Sequence, residues 1–116
     1  QNRASEVFGV DIHPAANISG AVMMDHATGI VIGQTCNIES EVSIFQGVTL
    51  GGTGNESGKR HPDVKKGATI YASSTILGNI EIGAGSTIAA GSLVLKDVKS
   101  GITVAGIPAK ELTKPS

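Results

Sequence analysis

The sequence predicts an all-β chain wound as a parallel β-helix of hexapeptide repeats, and three observations carry that expectation. Aliphatic residues recur every six positions over long runs, glycine is abundant, and aromatic residues are nearly absent. Period six is neither the 3.6 of a helix nor the plain alternation of a half-buried strand. It suits a short strand and a turn, repeated. Three such hexapeptides make one triangular coil in which each aliphatic residue points inward from a flat side, and successive coils stack at the strand spacing of about 4.8 Å. Glycine supplies 16 of the 116 residues, roughly double the usual share of about 7%, and small residues let the backbone turn tightly at the corners. The only Phe, Tyr or Trp residues are Phe8, Phe45 and Tyr71, as expected of an interior too narrow to hold them.

The repeats fall into three registers. The first runs through Ile12, Ile18, Met24 and Ile30, the second through Ile32, Ile38, Ile44 and Leu50, and the third through Val64, Ile70, Ile76, Ile82, Ile88 and Val94. Many of these positions precede a small residue, as in Ile32-Gly33, Leu50-Gly51, Ile82-Gly83 and Ile88-Ala89. Two interruptions separate the registers. Between Ile30 and Ile32 the phase slips by two, and from Leu50 to Val64 the step is 14 residues where six or twelve would keep it. The second insertion, residues 51–62, is polar and Gly-rich and is expected to project as a loop from one corner. Insertions in repeat proteins concentrate on a functional face, and loops on a rigid scaffold often carry site residues. After Val94 the repeats end; Lys96-Asp97-Val98-Lys99-Ser100-Gly101 reads as a turn, and Val104-Ala105-Gly106-Ile107-Pro108-Ala109-Lys110 as a short C-terminal cap over the open end of the stack. The expected division is 1–8 as an N-terminal remnant or linker, 9–98 as the β-helix and 99–116 as cap and tail.

Composition narrows the function. A chain of 116 residues allows one domain and buries only part of the surface that its unfolded state exposes, so oligomerisation is expected. Nine basic residues stand against ten acidic ones, leaving no field of one sign to draw the molecule onto nucleic acid or an anionic membrane. The single Cys36 cannot form an internal disulfide, and there is no apolar run of about 18 residues or charged-then-apolar leader. A cytoplasmic location follows as the expectation. Gly52-Thr53-Gly54 misses the dinucleotide fingerprint at Ser57, and Gly58-Lys59-Arg60 lacks the Ser or Thr of a Walker loop.

Chemistry near neutral pH points to the three histidines, His13, His26 and His61. A lone histidine on a repeat scaffold is ordinarily a solvated or hydrogen-bonded surface residue. His26, however, sits directly before the first phase slip, with Asp25 beside it and Asp11 preceding it by 15 residues, near the length of one coil. The Gly51-Gly52-Thr53-Gly54 stretch could bring backbone N–H groups close to a developing oxyanion, or could serve only as a flexible loop base. Lys59-Arg60, taken alone, reads as solvated loop charge.

Five elements are more specific. Val10-Asp11-Ile12-His13-Pro14-Ala15-Ala16, Met24-Asp25-His26-Ala27-Thr28-Gly29, Val48-Thr49-Leu50-Gly51-Gly52-Thr53-Gly54, Arg60-His61-Pro62 and Ile76-Leu77-Gly78-Asn79 follow one another in this order. Together, over about residues 9–112, they resemble the serine acetyltransferases among the hexapeptide-repeat acyltransferases. The resemblance implies a left-handed coil, a hand that geometry alone would not suggest, since parallel crossovers are right-handed in about 98% of cases. It implies acetyl-CoA as co-substrate, no permanently bound cofactor and no metal. His26 matches the base that takes the serine hydroxyl proton, with Asp11 orienting its ring. Arg60 matches the group that holds the serine carboxylate and Asp25 the one that receives its amino group, while His61 lines the same pocket. Gly52, Ala72 and Ala90 match backbone contacts to the pantetheine arm, and Lys110 a basic residue near the nucleotide phosphates; for the two alanines a plain corner role is compatible.

A homotrimer with sites at the subunit interfaces is implied as well. The family's N-terminal helical domain, which joins trimers into hexamers, has no counterpart in these 116 residues. Where the family usually has Gly-Glu-Thr, this chain has Gly33-Gln34-Thr35, which puts any role of that carboxylate in doubt. Its last residues, Lys114-Pro115-Ser116, give no basis for the family's complex with O-acetylserine sulfhydrylase. Three other readings are compatible with the repeat: an acetyltransferase acting on a sugar or antibiotic hydroxyl, a zinc carbonic anhydrase on the same scaffold, and a non-catalytic structural β-helix. The His separations of 13 and 35 lack the close pair that a zinc trio calls for.

Overall fold

Each hexapeptide folds as a strand of two or three residues followed by a tight turn. The computed structural model describes residues 11–24, 29–52 and 61–112, with the backbone alone at Asp11. Among these, the strands are β1 (Asp11–Ile12), β2 (Asn17–Ile18), β3 (Met23–Met24), β4 (Val31–Ile32), β5 (Asn37–Ile38), β6 (Ser43–Ile44), β7 (Thr49–Gly51), β8 (Asp63–Val64), β9 (Thr69–Ile70), β10 (Thr75–Leu77), β11 (Glu81–Ile82), β12 (Thr87–Ile88), β13 (Leu93–Val94), β14 (Thr103–Gly106) and β15 (Ala109–Glu111). Every third strand joins the same sheet. The first sheet has the order β1-β4-β7-β10-β13, the second β11-β8-β5-β2 and the third β15-β14-β12-β9-β6-β3. The strand pairs are parallel except the closing hairpin β14–β15. This is the three-sided coil that the repeat predicts.

The register accounts for both interruptions. Val31 pairs with Thr49, and Thr75 with Leu93, one 18-residue coil apart. Asp11 pairs with Val31, so the first coil carries two extra residues. Thr49 pairs with Thr75, so the third carries eight, which fall between β7 and β8. Residues 53–60 of the expected loop lie outside the described residues.

Inward ladders build the core. Ile32, Leu50, Ile76 and Val94 stack on the first sheet, Ile38, Val64 and Ile82 on the second, and Ile44, Ile70, Ile88 and Val104 on the third, all buried. Side chains alternate along a strand, so the residue two places earlier also faces in. Cys36, Val42, Val48, Ala68, Ser74, Ser86 and Ser92 fill that second inward position. Ile30 belongs here too: it is buried just before β4, and the strand ladder passes from Met24 directly to Ile32. Its six-residue spacing from Met24 suggests the last strand of the first register, and the two extra residues of the first coil move it out of that place. Buried hydroxyls need acceptors. Ser86 donates to the Gly83 carbonyl at 2.7 Å, and Ser92 and Ser74 donate to that of Ala89 at 2.7 and 2.9 Å. Phe45 and Tyr71 are outside the prism and stack at 5.1 Å just beyond the third-sheet strands.

Turns use the left-handed region. Gly47, Gly67, Gly85 and Gly91 each follow an inward aliphatic residue by three and have φ between 67° and 78°, whereas Glu41 and Ser73 occupy the same turn position at 63° and 64°. Only glycine adopts this conformation without steric cost. The C-terminal cap is a hairpin that extends the third sheet, Val104 facing Glu111 and Gly106 facing Ala109. Among the described residues no helix is long and apolar enough to cross a membrane.

Candidate functional site

His61 is positioned by the strand that follows it. Asp63 pairs with Asn37, and the Asn37 side chain donates to the Asp63 carboxylate at 3.0 Å, which brings residues 33–35 of the preceding coil alongside His61. Pro62, buried between them, secures the turn, and its carbonyl accepts from Asn37 N–H at 3.4 Å. The His61 ring lies over Gly33. A Cβ at residue 33 would stand 2.2 Å from Cδ2 and 2.5 Å from Nε2 of that ring, so no side chain is compatible with this placement. At its other side, Nδ1 accepts the Thr35 backbone N–H at 3.1 Å, and the Thr35 Oγ1 stands 2.7 Å from the same nitrogen. His61 and Gly52 are both partly buried and flank residues 53–60 on the edge between the first and second sheets.

The other predicted residues divide by location. Ala72 and Ala90 stack on the edge between the third and first sheets, where Gly91 N–H donates to the Ala72 carbonyl at 2.9 Å. The first is half-buried and the second exposed. Lys110 is exposed on β15 opposite Ala105, beside a groove of about 430 Å³ that also has Leu95, Lys96 and Pro108 in its walls. Within one chain, His61 and Gly52 therefore share one edge, and Ala72, Ala90 and Lys110 lie elsewhere. Asp25, His26 and Arg60 lie outside the described residues, as does the side chain of Asp11; the Asp11 backbone opens β1 in the first sheet. Gly33 and Thr35 were missed as parts of the site. The available signal was the pairing offset set by the eight-residue insertion, which aligns residue 35 with residue 61.

No family model matches the chain. Single proteins do. Serine acetyltransferase 4 and Serine acetyltransferase 2 of Arabidopsis thaliana are each 63% identical over 110 residues, covering 95% of this chain and 31% and 34% of their own lengths. The chain thus spans about a third of those relatives. A serine acetyltransferase in complex with coenzyme A from Brucella abortus strain S19 superposes with a TM-score of 0.93 at 51% identity, covering 99% of this chain and 46% of that one. The Neisseria gonorrhoeae serine acetyltransferase in complex with serine does so with a TM-score of 0.87 at 55% identity, covering 95% and 45%. Coils of opposite hand cannot superpose in this way, and the chain shares the left-handed β-helix of these proteins. On fold and on sequence alike, the chain belongs to the serine acetyltransferase family.

Proposed function

We propose that this chain transfers acetyl from acetyl-CoA to the hydroxyl of L-serine, giving O-acetyl-L-serine in cysteine biosynthesis. The observation that carries the reading is its likeness, over 95% or more of its length, to proteins described with coenzyme A and with serine. A hydroxyl is a poor nucleophile at neutral pH, so the reaction needs a base. His26 takes the serine proton while Asp11 orients its ring, an assistance typically worth about 10²–10⁴-fold. The oxygen then attacks the thioester carbonyl. The tetrahedral intermediate collapses, the carbon–sulfur bond breaks, and His26 returns its proton to the CoA thiolate. No acyl-enzyme is needed.

Recognition of serine requires both charges. Arg60 pairs with the carboxylate and Asp25 with the ammonium, and His61 contributes to the same pocket. Gly52, Ala72 and Ala90 contact the pantetheine arm through their backbones, and Lys110 stands near the nucleotide phosphates. Chain order assigns His26 to the connection from the third sheet to the first, whereas His61 is on the edge between the first and second. Two edges meeting at one pocket are supplied by two subunits, which supports a homotrimer with shared sites, working in the cytoplasm. The catalytic unit is residues 9–98, and residues 99–116 form the cap and tail. Acetyl-CoA consumption with L-serine, a galactoside and chloramphenicol as alternative acceptors tests the assignment. Serine is expected to be the preferred acceptor; activity on a sugar without activity on serine would sink it.

A further inference from the structure

We propose that Thr35, seated one coil from His61, is a positioning residue that holds His61 as the neutral Nε2–H tautomer, so that His61 serves the site as a hydrogen-bond donor and not as a base. The inference deepens the function proposed above and rests on it. Neutral imidazole has one nitrogen that accepts and one that donates. Nδ1 has a single lone pair, and the Thr35 backbone N–H is aimed at it at 3.1 Å, with the Thr35 hydroxyl 2.7 Å away. A backbone N–H has no other role to play: it can only donate. Nδ1 is thereby kept unprotonated, and the ring proton resides on Nε2.

The ring is also held in place. Gly33 lies beneath it with no room for a Cβ, which would approach Cδ2 to 2.2 Å, Nε2 to 2.5 Å and Cγ to 2.8 Å. Gly33 is in turn anchored to the neighbouring coil, its N–H donating to the Leu50 carbonyl at 2.9 Å and its carbonyl accepting from Cys36 N–H at 3.3 Å. To collect a proton at Nδ1, the ring would have to give up the bond to Thr35 N–H. That divides the labour between the two histidines of the proposed pocket. His26 moves the proton, and His61 presents Nε2–H to an oxygen that is negative or becoming so, the serine carboxylate or the oxyanion of the intermediate.

The test is long-range proton–nitrogen correlation NMR on the nitrogen-15-histidine-labelled chain near neutral pH, with His61→Gln identifying the His61 signals. An unprotonated Nδ1 and a protonated Nε2 are expected. Thr35→Ser should keep that signature. Thr35→Val, which retains the backbone N–H, should keep the unprotonated Nδ1 and, by losing the hydroxyl 2.7 Å from the ring, lower kcat/KM for serine about five-fold, the usual effect of one hydrogen bond. Gly33→Ala should abolish the signature while a cooperative thermal transition persists; if that variant does not fold, the Thr35 pair decides. A protonated Nδ1 in the unaltered chain or in Thr35→Val would overturn the inference. The expected tautomer in a chain that does not acetylate serine would leave this inference standing and overturn the function proposed above.

Discussion

Replacing Gly83 with alanine should loosen the last coil. A Cβ at Gly83 would stand 2.5 Å from the Ser100 nitrogen, 2.7 Å from the Lys99 carbonyl carbon and 2.7 Å from the Val98 oxygen. All three are backbone atoms, so no rotamer change can relieve the contact. The same residue is tied into the coil above: its N–H donates to the Val98 carbonyl at 2.8 Å, and its own carbonyl accepts from Ser86 N–H and Oγ at 3.2 and 2.7 Å. Overpacking of a tight site costs about 1–3 kcal/mol, and loss of the bond to Val98 adds about 1 kcal/mol. A loss of about 2–4 kcal/mol corresponds to a Tm lower by roughly 10 °C or more for a domain of this size. Circular dichroism melting at one protein concentration measures it, since oligomerisation makes Tm concentration-dependent. Gly20→Ala is the matched control, because nothing lies within 4 Å of its Cβ position, and it should change Tm little. A Gly83→Ala melt within about 3 °C of the parent would refute the packing argument.

Four further substitutions probe the core, the turns and the proposed serine site. Ile76→Ala removes a fully buried side chain between Leu50 and Val94 and should cost about 2–5 kcal/mol in denaturant unfolding; a loss below about 1 kcal/mol would mean that the coils collapse onto the gap. Gly91→Ala, at φ 73° with nothing within 4 Å, should cost about 1–2 kcal/mol from conformation alone. Ser73→Gly, at φ 64° one coil earlier, should move Tm the opposite way. Arg60→Ala should raise KM for serine roughly 10–100-fold, as loss of a charge-assisted bond does, and leave KM for acetyl-CoA near the parent value.

The strands were legible because their signal is local. From Val64 to Val94 one aliphatic residue in six marks the inward position, and each became the buried member of a strand. The second inward position was harder to see, because Cys36, Val48, Ala68 and Ser92 have little in common beyond fitting a narrow corner. Ile30 shows the same ambiguity: aliphatic and six residues after Met24, it reads as a strand residue, but two inserted residues move it to the corner. The antiparallel hairpin β14–β15 was anticipated only as a cap, since after Val94 no repeat specifies how the chain returns. In the candidate site, His61 and Gly52 were identified by motif. Gly33 and Thr35 were not, because the partner they meet is 28 and 26 residues away, across an insertion that hides the stacking. Motif matching also showed Gln34 only as a departure. A glycine that exists to make room for a ring is indistinguishable in sequence from one that makes a turn.

The most direct test of the central claim is release of free CoA by this chain, measured with and without L-serine, for the parent and for His26→Ala. Thiol release is expected to depend on serine and to match the O-acetyl-L-serine formed, with turnover at least about 10²-fold lower in the variant at an unchanged melting transition. CoA release that ignores serine, or a His26→Ala variant that turns over like the parent, would contradict it.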